Sequence, residues 1–203
     1  AEDFDAVQDV MDRVGIHRPV LAKIEKPQAV DHLEEIIRRF DGIMIARGDL
    51  GVEVPLAQVP IVQKRAINIA RKRAKPVIVA TQVLESMIEN PRPTRAEASD
   101  CANAIIDGAD AVMLSGETSV GKFPFEAVKT MANIIEYSEE HGMEQIPTLS
   151  NLHRTRNGVL TRAAVEIGEH LGVRYLVVFT ESGQTARRVA RLRTRLPLLV
   201  CTP

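Results

Sequence analysis

The sequence predicts an α/β fold built on a parallel sheet, and two observations predict it. Four apolar runs each end in a short polar signature: Pro19-Val-Leu-Ala-Lys-Ile-Glu25, Gly42-Ile-Met-Ile-Ala-Arg-Gly-Asp49, Pro76-Val-Ile-Val-Ala-Thr-Gln82 and Ala111-Val-Met-Leu-Ser-Gly-Glu117. Amphipathic helical patterns alternate with these runs through about residue 145. Buried parallel strands read as continuous apolar runs, and strand alternating with helix makes right-handed βαβ units. In such sheets chemistry gathers beyond the C-terminal strand ends. Lys23, Glu25, Asp49 and Thr81 are therefore expected to converge on one pocket.

Taken in order, residues 3–15 place Val7, Val10, Met11 and Val14 at helical spacing, and residues 30–40 do so with Val30, Leu33, Ile36, Ile37 and Phe40. Both read as surface helices with one buried stripe. Further helical patterns fall near 58–73, 95–107 and 124–141. The polar signatures begin at Lys23, Arg47, Thr81 and Ser115, intervals of 24, 34 and 34 residues, each the length of one βα unit. Between Gly142 and Gly158, Pro147, Ser150, Asn151 and Asn157 interrupt helical patterning and mark a linker. Two domains are expected, 1–145 and 146–203. The second should hold a helix near 158–171, a strand over Arg174–Thr180, a turn at Glu181–Gln184, a helix from Thr185 and a final strand. The first residue is not Met and the last strand has only just finished, so both ends read as cut from something longer.

Composition narrows the function classes. With 203 residues and 45% hydrophobic content the chain can bury a sizeable core. A net charge of −1, no sustained basic stretch and 3% aromatic residues argue against nucleic acid as a partner. No apolar stretch is long enough for a membrane span, and the acidic start is unlike a signal peptide. Cys101 and Cys201 form neither a zinc-type spacing nor a disulfide framework, which points to a reducing compartment, the cytoplasm. His17, His32, His141, His153 and His170 lack ligand-like spacing and are assigned no role.

Lys23 and Glu25 are two apart on a strand and share a face, while Asp49, read as the end of the next strand, should lie about 4.8 Å across. Two carboxylates at neighbouring strand ends suit a hard cation such as Mg²⁺, which completes its octahedron with water and substrate oxygens. Lys23 beside them supplies a positive charge for a transferring phosphoryl group or a developing enolate, and should stay protonated there. Lys-x-Glu alone would be an ordinary ion pair. With Asp49 on the next unit, three ionic groups at one sheet end are costly without a ligand. Gly48 allows close backbone approach, and Thr81 places a hydroxyl at its strand end able to donate to a substrate carboxylate.

Two motifs read as decoys. Gly116-Glu-Thr-Ser-Val-Gly-Lys122 fits the start of a phosphate-binding P-loop, but Phe123 stands where Ser or Thr is required. Arg47-Gly48-Asp49 matches an adhesion tripeptide, yet its apolar flanks favour burial over display.

Taken together, Lys23-Ile-Glu25, Ile45-Ala-Arg-Gly-Asp-Leu-Gly51, Pro76-Val-Ile-Val-Ala-Thr-Gln82 with Leu84-Glu-Ser-Met87, Arg92-Pro-Thr-Arg-Ala-Glu97 and Met113-Leu-Ser-Gly-Glu-Thr118 resemble the pyruvate kinase family over essentially the whole chain. The resemblance implies a partial (β/α)₈ TIM barrel, strands 5 to 8, over residues 1–145, then the first part of an α/β C-terminal effector domain. It implies phosphoryl transfer from phosphoenolpyruvate to ADP, giving pyruvate and ATP in glycolysis. By the same resemblance Lys23 stabilises the transfer, Glu25 and Asp49 hold Mg²⁺ (or Mn²⁺), and Gly48, Asp49 and Thr81 bind substrate. Ser115 and Glu117 help order the proton-delivering water.

The barrel's first four strands, which carry nucleotide and K⁺ contacts in the family, are absent, so activity is expected only with that missing half. The family also implies a homotetramer, with the Arg92–Asp107 region at an interface, and allosteric control. Thr180-Glu-Ser-Gly-Gln-Thr185 resembles its effector phosphate loop, where Glu181 should repel fructose bisphosphate. Arg187, Arg188, Arg191 and Arg195 beyond it read first as a solvated basic face. The competing readings are a divalent-metal aldolase or lyase acting on a pyruvate enolate, against which Lys23 argues, and a non-catalytic assembly fragment.

Overall fold

The computed structural model describes residues 2–149 and 155–203. Chain contacts divide them into two units between Gly142 and Met143. Of the residues that mark the linker, Ser150 and Asn151 lie outside the described residues, as does His153.

The first unit runs α1 (Glu2–Val14), β1 (Leu21–Ile24), α2 (Pro27–Asp31), α3 (Leu33–Arg39), β2 (Gly42–Ala46), α4 (Arg47–Glu53), α5 (Val59–Lys72), β3 (Val77–Ala80), α6 (Arg95–Asp107), β4 (Ala111–Met113), α7 (Gly116–Ser119) and α8 (Pro124–Gly142). Its four strands form one parallel sheet in the order β1-β2-β3-β4. Sequential neighbours pairing in parallel require a crossover after each strand, and the helices supply it.

The register sorts the strands into two faces. Ile24, Ile45, Val79 and Val112 lie in one row. The first three of these are fully buried, and with Ala22, Ile43 and Val77 they meet Leu33 and Ile37 of α3 and Ala66, Ile67 and Ala70 of α5. On the opposite face Lys23, Met44, Ile78 and Ala111 form a row in which Lys23 and Ala111 are exposed and Met44 and Ile78 half-buried. Continuous apolar runs had implied burial on both faces. Among the described residues helices cover only one, and the other is open.

Other expectations are corrected in detail. The helix read over 30–40 breaks at His32, because Pro27 starts a separate short helix that ends at Asp31, and His32 is both its C-cap and the N-cap of α3. The stripe of α1 is not buried: Val7, Val10 and Val14 are exposed. Val7 lines an open groove of about 790 Å³ together with Leu21, Lys23 and Ile36. Phe4 of that helix packs edge-on to Phe40 with centroids 4.9 Å apart, beneath Arg39, which also pairs with Asp5. The polar ends of the second and fourth runs are helical. β2 stops at Ala46, and Arg47 to Glu53 turn at once into α4, while Gly116 to Ser119 form α7.

In the second unit α9 (Arg156–His170), β5 (Leu176–Phe179), α10 (Gln184–Ala190) and β6 (Leu198–Cys201) follow the expected order. β5 and β6 pair in parallel, around Val165, Val178 and Val189. No helix among the described residues is long and apolar enough to cross a membrane.

Candidate active site

Lys23 is the last residue of β1 to point toward the open face, and its ammonium reaches two acids at once. Nζ lies 2.5 Å from Glu25 Oε2 and 2.8 Å from Asp49 Oδ2. Glu25 comes from one residue beyond the strand, Asp49 from the first turn of α4. The two arrive from neighbouring βα units because β1 and β2 pair directly. The hydrogen bond to Asp49, then that to Glu25, holds the Lys23 ammonium well above the ordinary lysine range. The same bond from Lys23 holds Asp49 below the usual carboxylate range. All three are open to solvent, with side-chain exposures of 51%, 32% and 55%, so a ligand can reach them. A shallow cleft lined by Lys23, Glu25, Lys26, Asp49, Val52 and Glu53 surrounds the cluster.

Two carboxylates gathered on one cationic point also fit a divalent ion that keeps water and substrate oxygens as its remaining ligands. Among the described residues no group of three or more His, Cys, Asp or Glu gathers as a metal cage.

Arg47 holds the neighbouring turn in place. Its side chain is nine-tenths buried and pairs with Asp100 of α6 at 2.6 Å. Its guanidinium also donates to the carbonyls of Thr81 (3.2 Å) and Gln82 (3.1 Å) and, at 3.4 Å, to Gln63 of α5. Thr81 and Gln82 sit in the left-handed region at φ 66° and 52°, a strained state for residues other than glycine. The turn brings the Thr81 hydroxyl back to α4, where it accepts from the Gly48 N–H at 2.7 Å and donates to its own Ala80 carbonyl at 2.7 Å. The Gly48 amide and the Thr81 hydroxyl thus face each other beside Asp49.

Ser115 and Glu117 follow β4. Glu117 is buried at 3% exposure; its carboxylate accepts from the Ser115 N–H at 2.7 Å and from the Leu84 N–H at 3.2 Å. Glu97, in the capping box of α6, accepts from the backbone and hydroxyl of both Ser86 and Thr94. The P-loop-like segment is turned into other work. Val120 and Gly121 donate to the Gly116 carbonyl, Lys122 N–H donates to Ile88, and the Lys122 ammonium pairs with Glu89.

Comparison with known proteins matches the sequence to one family. The family model described as "Pyruvate kinase, barrel domain" covers residues 1–128, and "Pyruvate kinase, alpha/beta domain" covers residues 159–203. The chain belongs to the pyruvate kinase family. It is 62% identical to the pyruvate kinase of Mycobacterium tuberculosis over 98% of its length, covering 42% of that relative. It is 61% identical to that of Corynebacterium glutamicum over 99%, and 45% identical to that of Thermotoga maritima over its whole length. The chain spans about two-fifths of the length of these relatives.

Sequence reasoning placed Arg47 at the start of a polar signature but gave it no role of its own. An Arg between Ala46 and Gly48 at the end of an apolar strand was the available signal, because a guanidinium so placed must find buried acceptors. Its burial also removes the adhesion reading. In the second unit the effector-like loop turns through Gly183 at φ 75°, and Thr180 N–H is tied to Cys201 at 3.0 Å. Arg188 bonds Gln184, and burial, then repulsion from Arg188, lowers the Arg191 pKa.

Proposed function

We propose that this chain supplies the enolate-stabilising half of a pyruvate kinase, which moves a phosphoryl group from phosphoenolpyruvate to ADP and protonates the resulting enolate. In this reading β1 to β4 are strands 5 to 8 of a (β/α)₈ barrel, and the open face bearing Lys23, Met44 and Ile78 turns toward its interior. Residues from about 146 begin the effector domain. The observation that carries the reading is the Lys23 ammonium held between Glu25 and Asp49 at 2.5 and 2.8 Å.

The P–O bond to the enol oxygen breaks as ADP oxygen takes the phosphoryl group, leaving negative charge on the enolate oxygen. Lys23, held cationic by its hydrogen bonds to Asp49 and Glu25, stands where that charge develops and stabilises it more in the transition state than in the ground state. Glu25 and Asp49 would hold Mg²⁺ or Mn²⁺, which supplies charge neutralisation for substrate oxygens. The Gly48 amide and Thr81 hydroxyl, paired with each other without ligand, exchange that bond for the substrate carboxylate. Ser115 borders the side from which a water delivers the proton to the methylene carbon.

The parent enzyme is read as cytoplasmic and homotetrameric, with α6 contributing to an interface and K⁺ and nucleotide contacts in the missing half. Glu181 in the effector-like loop is expected to weaken fructose bisphosphate activation. The decisive assay is pyruvate formation from phosphoenolpyruvate and ADP by the full-length enzyme that carries these residues. Turnover that requires both ADP and a divalent ion is expected, and residues 1–203 alone should show none. Pyruvate formation indifferent to ADP would overturn the reading.

A further inference from the structure

We propose that Glu117 is a positioning residue whose carboxylate ties the turn after β3 to the turn after β4, and so fixes where the Ser115 hydroxyl stands. The proposal rests on the reading above only for what that hydroxyl serves. The tie itself rests on geometry.

A carboxylate at 3% exposure is costly unless its oxygens are fully engaged. Glu117 has no cationic partner among the described residues; instead each oxygen takes one backbone N–H, from Leu84 at 3.2 Å and Ser115 at 2.7 Å. Leu84 itself is fully buried. These two amides come from different βα units, and each adjoins unusual backbone. Leu84 lies two residues after the left-handed pair Thr81 and Gln82, and Ser115 sits at φ −126°, ψ −97°, outside the helical and extended basins. Such conformations persist only where surrounding contacts over-determine them. Arg47 grips the first turn by its carbonyls, and Glu117 grips it by an amide. The Ser115 hydroxyl makes no hydrogen bond among the described residues, so it is held at a defined point yet left available.

The test uses the full-length enzyme in two arms. In the wild type, hydrogen exchange at the Leu84 and Ser115 amides should be at least about 100-fold slower than in unstructured chain; free exchange at either overturns the tie whatever the enzyme catalyses. In the second arm Glu117→Gln keeps the side-chain size but turns an NH₂ toward one of the two amides. Exchange there should quicken at least tenfold, kcat should fall about tenfold or more, and KM for phosphoenolpyruvate should stay within about threefold. In a Ser115→Ala background the same change should cost less than about threefold in kcat, because it acts through Ser115. Full additivity overturns the positioning role. A wild type inactive on phosphoenolpyruvate and ADP overturns the kinase reading instead, while the first arm still decides the tie.

Discussion

The amide of Gly48 donates to the hydroxyl of Thr81 at 2.7 Å, and a Cβ on Gly48 would stand 3.2 Å from that same oxygen. A side chain at position 48 therefore requires the Thr81 hydroxyl to give way by a few tenths of an ångström, although the position lies in a helix where alanine is intrinsically favoured. Gly48→Ala is expected to leave thermal stability nearly unchanged while pushing the Thr81 hydroxyl away from its partner. In the full-length enzyme, KM for phosphoenolpyruvate should rise about tenfold, the worth of one well-placed hydrogen bond. Steady-state kinetics beside a melting curve check both halves of that expectation.

Removing the Arg47 guanidinium should be far more damaging to the fold. Arg47→Met leaves Asp100 without its ion-pair partner and strips the Thr81 and Gln82 carbonyls of their donors. A loss of about 2 kcal/mol in denaturant unfolding is expected, carried mainly by the two carbonyls left without donors, since Asp100 is 42% exposed and keeps water. Arg47→Lys should recover little of it, because a single ammonium cannot fork to the same acceptors.

The Lys23 and Asp49 pair has a defined pH window. Asp49 is depressed below 3.8 by Lys23, so its contribution is present above that value and is lost as pH falls through its lower folded pKa. Lys23 is raised above 10.5, so its contribution is complete below that value and is lost only as pH rises through its higher folded pKa. The cluster should thus stay assembled across the neutral range. Carboxyl-carbon NMR should place the Asp49 midpoint below 3.8, and Lys23→Met should move it upward; no movement would contradict the pairing.

The two cysteines should differ in reactivity. Cys101 is fully buried, and burial, then the Asp100 charge, pushes its thiol up to about 11. Cys201 is partly exposed. A thiol reagent at pH 8 is expected to label Cys201 promptly and Cys101 only on unfolding, as mass spectrometry of the labelled peptides will show.

Elements with local punctuation were legible in the sequence. α6 begins and ends as read because Thr94 and Glu97 form a reciprocal cap and Gly108 takes the left-handed position after Asp107. α4 was not legible: it follows β2 with no side-chain cap, so Arg47-Gly48-Asp49 looked like a strand end and Asp49 lies within a helical turn instead. The convergence of Lys23, Glu25 and Asp49 was nonetheless readable, because parallel order alone brings those ends together. Arg47 with Asp100, and Glu117 with Leu84, are contacts across 53 and 33 residues that no local pattern encodes. The strained turn at Thr81 and Gln82 carries no glycine to announce it, since distant charged groups impose it.

The central claim, that one ammonium between two acids stabilises a nascent enolate, is tested most directly by Lys23→Met in the full-length enzyme. The account predicts that kcat for phosphoenolpyruvate with ADP falls about 100- to 1,000-fold, the scale of losing one electrostatic stabiliser, while KM changes little. A variant that turns over at the wild-type rate, or one whose loss lies wholly in KM, would contradict it.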